Sequence, residues 1–482
     1  MVSLPGLTPI DPTSTAFLLA ENRHMPMHVG GLQLFERPKG AGPDYVRSMF
    51  EHMRDTAEVS PLFLKHPHRS ARTAGALVWR NDAHFDIEHH LRHSALPQPG
   101  RVRELLELVG RLHSTRLAWE RPLWEMHVIE GLADGRIGLY TKLHHALVDG
   151  VSAMRLMASG LSTDPDQREM PAPFALQPRK PRAVDDAAAA LAHPASTASR
   201  LLTELPADAL RSALAITADA AGMPGALVRT LRKGLRNETS AVSLAAPRTI
   251  FNQSITGARR FAAQDWEVER LQAVSRATGT TINDVVLAMC SGAMRTYLGE
   301  LDALPDASLV SMVPVSLKVK QAGDPNPDGG NAIGSVMVRL ATDVADPAER
   351  LSTIHRSMKD GKEALSSMTP TQIVAMSAIG MAPSIVVPAL RLQGMVRPPF
   401  NLIISNVPGP RSAQYWNGSK LVGAYPASIP INGMALNITC TSYNGNMAFG
   451  LTGCRRAVPR LQRLLTHLDD ELAALESAAG VA

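Results

Sequence analysis

The stretch "LYTKLHHALVDGVSAMRLM", residues 139–157, sets His144 beside His145 and follows them, three residues on, with Asp149 and Gly150. A neutral imidazole with a pKa near ~6.5 accepts a proton at neutral pH without large perturbation, so one histidine of the pair suits a general base. Asp149 is of the type that fixes a loop, by pairing with an arginine or by capping a following helix. Gly150 supplies a turn conformation or a close approach. Metal binding is the competing chemistry. Against it, neighbouring side chains on extended backbone diverge, and neither HExxH nor a third ligand stands at a suggestive spacing. The other pair, His89–His90 in "FDIEHHLRHSALPQPG", lacks a following Asp-Gly and reads as surface or packing histidines.

A base needs a nucleophile, and the chain offers none of the familiar ones. No serine sits in GxSxG. The three cysteines, Cys290, Cys440 and Cys454, form no CxxC pair and no recognisable nucleophile context. There is no GxGxxG after a strand and no GxxxxGK[ST], so nucleotide chemistry has no anchor. What remains is a base whose nucleophile arrives with the substrate.

The elements that must hold the pair are legible around it. "RIGLYTKL" alternates as a strand does, and "VSAMRLMASGL" puts Val151, Met154, Met157 or Ala158, and Leu161 on one helical face. The histidines therefore fall in a strand-to-helix connection, where rigid flanking elements present exposed groups. At 482 residues the chain calls for two domains. The first 165 residues mix strand-like and helix-like runs. From Thr163 the composition turns proline-rich and charged, then alanine-rich, up to about Ala245. Near its end Arg229, Arg232, Lys233 and Arg236 interleave with apolar residues as a short basic amphipathic helix, suited to anionic lipid or to packing across a domain junction. A second α/β segment starts at Thr249. In "TTINDVVLAMCSGAMRTYL", Val285, Val286, Met289, Met294 and Leu298 recur at helical spacing behind Thr281 and Asn283, both suitable cap residues.

Composition excludes several classes. Apolar residues at 45% and charged residues at 19% rule out general disorder, and a net charge of +5 is too small to imply nucleic acid. The N-terminus does not read as a secretory signal. Ala364–Leu390 carries no charge, but Pro383 and Pro388 break it, so it reads as interrupted helices that line a greasy cavity or touch a bilayer rather than as a span.

"HHALVDG" matches HHxxxDG, the motif of acyl-transferring enzymes built like chloramphenicol acetyltransferase, among them peptide-synthetase condensation domains and the bacterial wax ester synthase/diacylglycerol acyltransferases. The chain resembles the last group most. "PMHVGGLQLFE", "QPGRVRELL", "RPLWEMHVIEGL", "TINDVVLAMCSGAMR", "MVPVSL", "NLIISNVPGP", "YWNGSKL", "ALNITCTSYNG" and "LLTHLDDEL" look like segments of that family, in family order from about residue 8 to 472. The resemblance implies an α/β fold of two chloramphenicol-acetyltransferase-like domains, each a mixed sheet flanked by helices, with the active site in a tunnel at their interface. The corresponding division is residues 1–164, a linker over 165–245, and residues 246–482.

The resemblance further implies transfer of a long-chain fatty acyl group from acyl-CoA, as co-substrate, to a fatty alcohol or a diacylglycerol. It makes His145 the base and His144, Asp149 and Gly150 supporting residues, with no permanently bound cofactor and no metal. Such an enzyme is expected in the cytoplasm, at the surface of a membrane or lipid inclusion, with no nucleic acid partner. Asn283 is the candidate donor to the tetrahedral oxyanion, its alternative role being a helix cap. Asp284 is expected to pair with a basic residue and Trp124 to anchor a core. Ala364–Leu390 is the candidate lining for the acyl chains. A free-standing condensation-type amide-forming enzyme and a non-catalytic lipid-inclusion protein are the alternatives.

Overall fold

In the computed structural model, residues 7–56, 58–69, 75–176, 246–319, 330–366 and 397–481 are described. The first half supplies strands β1 (Leu7–Pro9), β2 (His28–Glu36), β3 (Lys65–His68), β4 (Val78–Asn81), β5 (Leu91–Ala95), β6 (Trp124–Glu130) and β7 (Ile137–His144). Its helices are α1 (Pro12–Ala20), α2 (Tyr45–Arg54), α3 (Val102–Ser114) and α4 (Gly150–Ser159). The second half supplies β8 (Arg259–Glu267), β9 (Val310–Val319), β10 (Gly330–Arg339), β11 (Leu402–Val407), β12 (Tyr415–Trp416), β13 (Ser419–Ala427), β14 (Leu436–Tyr443) and β15 (Asn446–Cys454). Its helices are α5 (Val268–Thr278), α6 (Ile282–Gly299), α7 (Pro347–Ser366) and α8 (Arg463–Ala478).

Two six-stranded mixed sheets carry the architecture, in the orders β12-β13-β2-β7-β6-β5 and β10-β9-β11-β14-β15-β8. The expected α/β organisation is thus present, with one departure. The hairpin β12–β13 belongs by sequence to the second half yet completes the first sheet, β13 running antiparallel to β2. Its tight turn is the Asn417-Gly418 pair, both with positive φ, the conformation that two-residue hairpins demand.

The expected linker also begins later than residue 165. Met170, Ala172 and Phe174 are buried in the first half's core, and the Met170 N–H donates to Asn417 Oδ1 at 2.8 Å. Residues 177–245, with the basic amphipathic segment, lie outside the described residues, as do 367–390 of the candidate acyl-chain lining.

Strand β7 is buried along its whole length, and its alternation sorts its side chains onto two faces. Ile137, Leu139 and Leu143 join α2 and Trp124 in one core, while Tyr140 joins α3 in another that includes Phe261, Tyr425 and Ala448 from the second half. Lys142 and His144 share the Tyr140 face, so β7 turns these two polar side chains toward α3 and the junction between halves. The halves meet closely there. A Cβ on Gly450 of β15 would lie 1.8 Å from the Pro426 carbonyl oxygen of β13, so only glycine permits this approach.

In the second half α6 is buried on nearly every side, and the expected stripe Val285, Val286, Met289, Met294 and Leu298 is buried in full. The stripe expected for α4 is displaced. Ala153 and Leu156 are its buried residues, whereas Val151 and Met154 are half-buried, because the helix leans on β2 with the face one residue away from the one the spacing favours.

Candidate active site

β7 ends at His144, whose backbone pairs across to His28 of β2. The chain then turns through residues 145–149 into α4. The His145 N–H donates to the Met27 carbonyl at 2.8 Å and the Leu147 N–H to the His144 carbonyl at 2.9 Å. Ser14 Oγ donates to the Ala146 carbonyl at 2.8 Å, tying the turn to α1. Asp149 caps α4: its carboxylate accepts from Ser152 N at 2.9 Å and from Ser152 Oγ at 2.7 Å. This is the helix-capping option of the two roles expected for it.

The two imidazoles diverge, as adjacent side chains at a strand end must. His144 is fully buried. Its Nδ1 accepts the Ala146 N–H at 3.0 Å, so that nitrogen carries no proton, and Nε2–H is turned toward Glu21 Oε1 at 3.6 Å. His145 is half-buried and stacks on Phe17 of α1, with ring centroids 4.1 Å apart and 22° between planes. Of the pair, His145 is the less buried ring.

Glu21 is the residue that sequence reasoning misses. Its side chain is buried and accepts from Met27 N at 3.1 Å, Trp119 Nε1 at 2.8 Å and Arg116 Nη2 at 3.0 Å. Burial alone would raise its pKa, but His144, the Met27 N–H and Trp119 outweigh it and bring the carboxyl down to about 2. The carboxylate is therefore ionised at any ordinary pH and faces the His144 ring, with Oε1 3.6 Å from Nε2. No local signal in "LLAEN" marks it in the sequence, because its partners Arg116 and Trp119 arrive from a distant segment.

Beneath the pair lies a buried polar layer. Lys142 Nζ donates to the Leu112 and Thr115 carbonyls at 3.0 and 2.9 Å and stands 3.0 Å from Glu125 Oε2. Burial raises the Glu125 carboxyl, but His127 and Lys142 overcome this and lower it to about 2. His113 of α3 bonds Tyr140 Oη through Nδ1 at 2.7 Å and reaches the Ser428 carbonyl of the second half through Nε2 at 3.0 Å. Burial drives its pKa down to about 3. His28 is held well below the ordinary range by burial, then by His113 and Lys142. The strand that delivers the histidine pair is thus clamped to the helix that contacts the second half.

The remaining expected residues fall as follows. Gly150 opens α4 without a positive φ, and a Cβ there would meet only Val29 Cγ1 at 4.0 Å, so neither the turn nor the close approach expected of it is required within the described residues. Asn283 is not the cap of α6. Thr281 is, in a capping box with Asp284, and Asn283 sits half-buried in the first turn. Among the described residues no hydrogen bond joins Asn283 to either histidine. Asp284 pairs with His355 Nδ1 at 2.8 Å, as a basic partner was expected. Trp124 is a core anchor: it is fully buried, its Nε1 donates to the Phe63 carbonyl at 2.8 Å, and it stacks on His90. His90 is a packing histidine and His89 a surface one. Among the described residues no group of three or more His, Cys, Asp or Glu side chains could hold a metal ion, and no helix is long and apolar enough to cross a membrane.

With this geometry in place, the chain compares with known proteins as follows. The family model described as the wax ester synthase/diacylglycerol acyltransferase catalytic domain matches residues 7–286, and the WS/DGAT C-terminal domain matches residues 329–476. The chain belongs to the wax ester synthase/diacylglycerol acyltransferase family. A Mycobacterium bovis protein named as a diacylglycerol O-acyltransferase is 47% identical over 470 residues, spanning 98% of this chain and 99% of its own. A Mycobacterium tuberculosis protein so named is 44% identical over 475 residues, 98% of this chain and 100% of its own. The solved wax ester synthase/diacylglycerol acyltransferase of Marinobacter aquaeolei is 41% identical with a TM-score of 0.76, covering 98% of this chain and all of that one. The first condensation domain of the calcium-dependent antibiotic synthetase shares the fold alone, at 16% identity and a TM-score of 0.52, covering 99% and 97% of the two chains. The protein is therefore an O-acyltransferase of an acyl-CoA-dependent family, which removes the non-catalytic alternative.

Proposed function

We propose that the protein joins a long-chain fatty acyl group from acyl-CoA to the hydroxyl of a fatty alcohol or a diacylglycerol, with His145 as general base and no acyl-enzyme intermediate. The observation that carries this reading is the division of labour between the two imidazoles. His144 is buried and held between the Ala146 N–H and Glu21, while His145 stands half-buried at the turn.

In the reaction the acceptor hydroxyl gives its proton to His145 as its oxygen attacks the thioester carbonyl. The tetrahedral intermediate then collapses, the C–S bond breaks, and the departing thiolate takes the proton from the imidazolium. The products are the ester and coenzyme A. A positioned base contributes about 10²–10⁴-fold, and co-location of the two substrates contributes further. The oxyanion needs a donor. Asn283 retains that role as a proposal, since capping of α6 falls to Thr281 and leaves the Asn283 amide to another use.

Acyl chains need apolar lining. Ile431 packs against both the cluster that holds Met27 and the cluster that holds Met434, where half-buried Met312 and Ile403 also pack. These side chains support an acyl path from the histidine turn along the inner face of the second sheet. The enzyme is expected to work at a membrane or lipid-inclusion surface, where both acceptors reside. The test is incubation of the purified protein with palmitoyl-CoA and either hexadecanol or a diacylglycerol, following thiol release and ester. Release of free fatty acid without ester would overturn the reading.

A further inference from the structure

A cavity of about 540 Å³ opens beside the C-terminal end of α1. Its walls come from three separate segments. α1 and its end contribute Leu18, Leu19 and Glu21; the β3–β4 region contributes His66, His68, Arg69 and Arg80; the loop after α3 contributes Arg116, Trp119 and Glu120.

The lining is amphiphilic. Leu19, at 53%, is the most exposed large apolar side chain among the described residues, and Leu18 and Trp119 line the cavity with it. Against these stand three guanidinium groups and two acids. Arg116 binds Glu21 through Nη2 alone, and Trp119 donates to the same oxygen, so that carboxylate is already satisfied. Arg80 donates through Nε to His66 Nε2 at 3.4 Å. Burial, then the Arg80 charge, keeps His66 below its ordinary pKa and hence a neutral acceptor that does not consume the arginine's charge. Among the described residues each of these two guanidinium groups is held through one nitrogen, and Arg69 is exposed beside them. Preorganised forks of this kind match phosphate oxygens.

We infer that this cavity takes the phosphorylated nucleotide end of acyl-CoA, with Arg69, Arg80 and Arg116 on the phosphates and Leu19 and Trp119 against its less polar part. The inference rests on the donor proposed above. It adds where the donor is gripped: in a pocket whose floor, Glu21, is the same carboxylate that orients His144. Phospholipid headgroups carry the same phosphate chemistry, and the test separates the two.

Coenzyme A itself is the probe, titrated calorimetrically into the full-length protein, so that no turnover is needed. Two charge-assisted contacts are worth roughly a ten- to hundredfold change in affinity when removed. Arg69→Ala/Arg80→Ala should weaken coenzyme A binding by that factor and raise KM for palmitoyl-CoA, with kcat and KM for hexadecanol near wild type. Arg103→Ala, a surface arginine paired with Glu107, should change nothing. Sedimentation with phosphatidylglycerol vesicles should show equal binding by wild type and double variant. Unchanged coenzyme A affinity in the double variant, an equal loss in Arg103→Ala, or a loss confined to vesicle binding would each overturn the inference. Tight coenzyme A binding that depends on these arginines in a protein that makes no ester would sink the proposed function and leave the cavity assignment standing.

Discussion

Replacing Glu21 by glutamine probes the support beneath the base. The carboxylate oxygens together take the Met27 N–H, the Trp119 Nε1–H and Arg116, and face His144 Nε2–H. Glutamine keeps the shape but offers one oxygen and one NH₂, so one side must place a donor against donors. An unmet buried donor costs about 1–3 kcal/mol, and loss of the charge adds to this, although Arg116 is partly exposed and can turn to water. The depression of the Glu21 pKa from 4.5 to about 2 points to a similar size, about 3–4 kcal/mol at roughly 1.4 kcal/mol per pKa unit. We therefore expect Glu21→Gln to lower stability by about 2–4 kcal/mol in urea unfolding at pH 7.5. It should cut kcat by about ten- to hundredfold with KM for palmitoyl-CoA little changed, because a misplaced His144 ring releases the turn that carries His145. The sign with pH follows from the direction of the shift. A depressed carboxyl stabilises the fold above pH 4.5 and loses that contribution as pH falls toward 2, so the variant's stability should fall less than wild type's across that window. A variant with wild-type kcat and an unchanged acid limb would refute the argument.

Two further outcomes follow from the same structure. His113, ordinarily near 6.5 and lowered to about 3 by burial, binds a proton more readily unfolded than folded, so stability should be full above pH 6.5 and fall on acidification toward 3, by up to about 1.4 kcal/mol per pH unit. Urea unfolding at pH 7.5, 6.5 and 5.5 checks this, with His113→Gln expected to flatten the slope and a stability that rises on acidification contradicting it. Ile403→Trp, which fills half-buried space on the inner face of the second sheet, should shift the preferred acyl or alcohol chain to shorter lengths, and an unchanged chain-length profile would exclude that path.

What the sequence made legible is what local pattern encodes. The histidine turn was placed between a strand and a helix because the two-residue and helical periods change over within nineteen residues. Asp149 as a cap, Thr281 as a cap and the buried stripe of α6 follow from the same short-range chemistry. What stayed hidden depends on pairing over long separations. Glu21 becomes a positioning carboxylate only because β2 pairs with β7, bringing Met27 and His144 to it. The β12–β13 hairpin joins the first sheet although every strand around it in sequence belongs to the second, and nothing local distinguishes those two destinations. Phe17 looks like any apolar residue of α1 until its ring lies on His145. Asn283 and Thr281 are both good cap residues, and the choice between them falls to Asp284, whose carboxylate closes the box on Thr281 and binds His355 across to α7.

The most direct measurement is the steady-state rate of His145→Ala with palmitoyl-CoA and hexadecanol, set beside its affinity for coenzyme A. A loss of at least about a hundredfold in kcat with coenzyme A binding retained is the expected result, since the ring is the group that accepts the hydroxyl proton. Ester formation at the wild-type rate, or a fatty acyl chain found covalently attached to the protein during turnover, would contradict it.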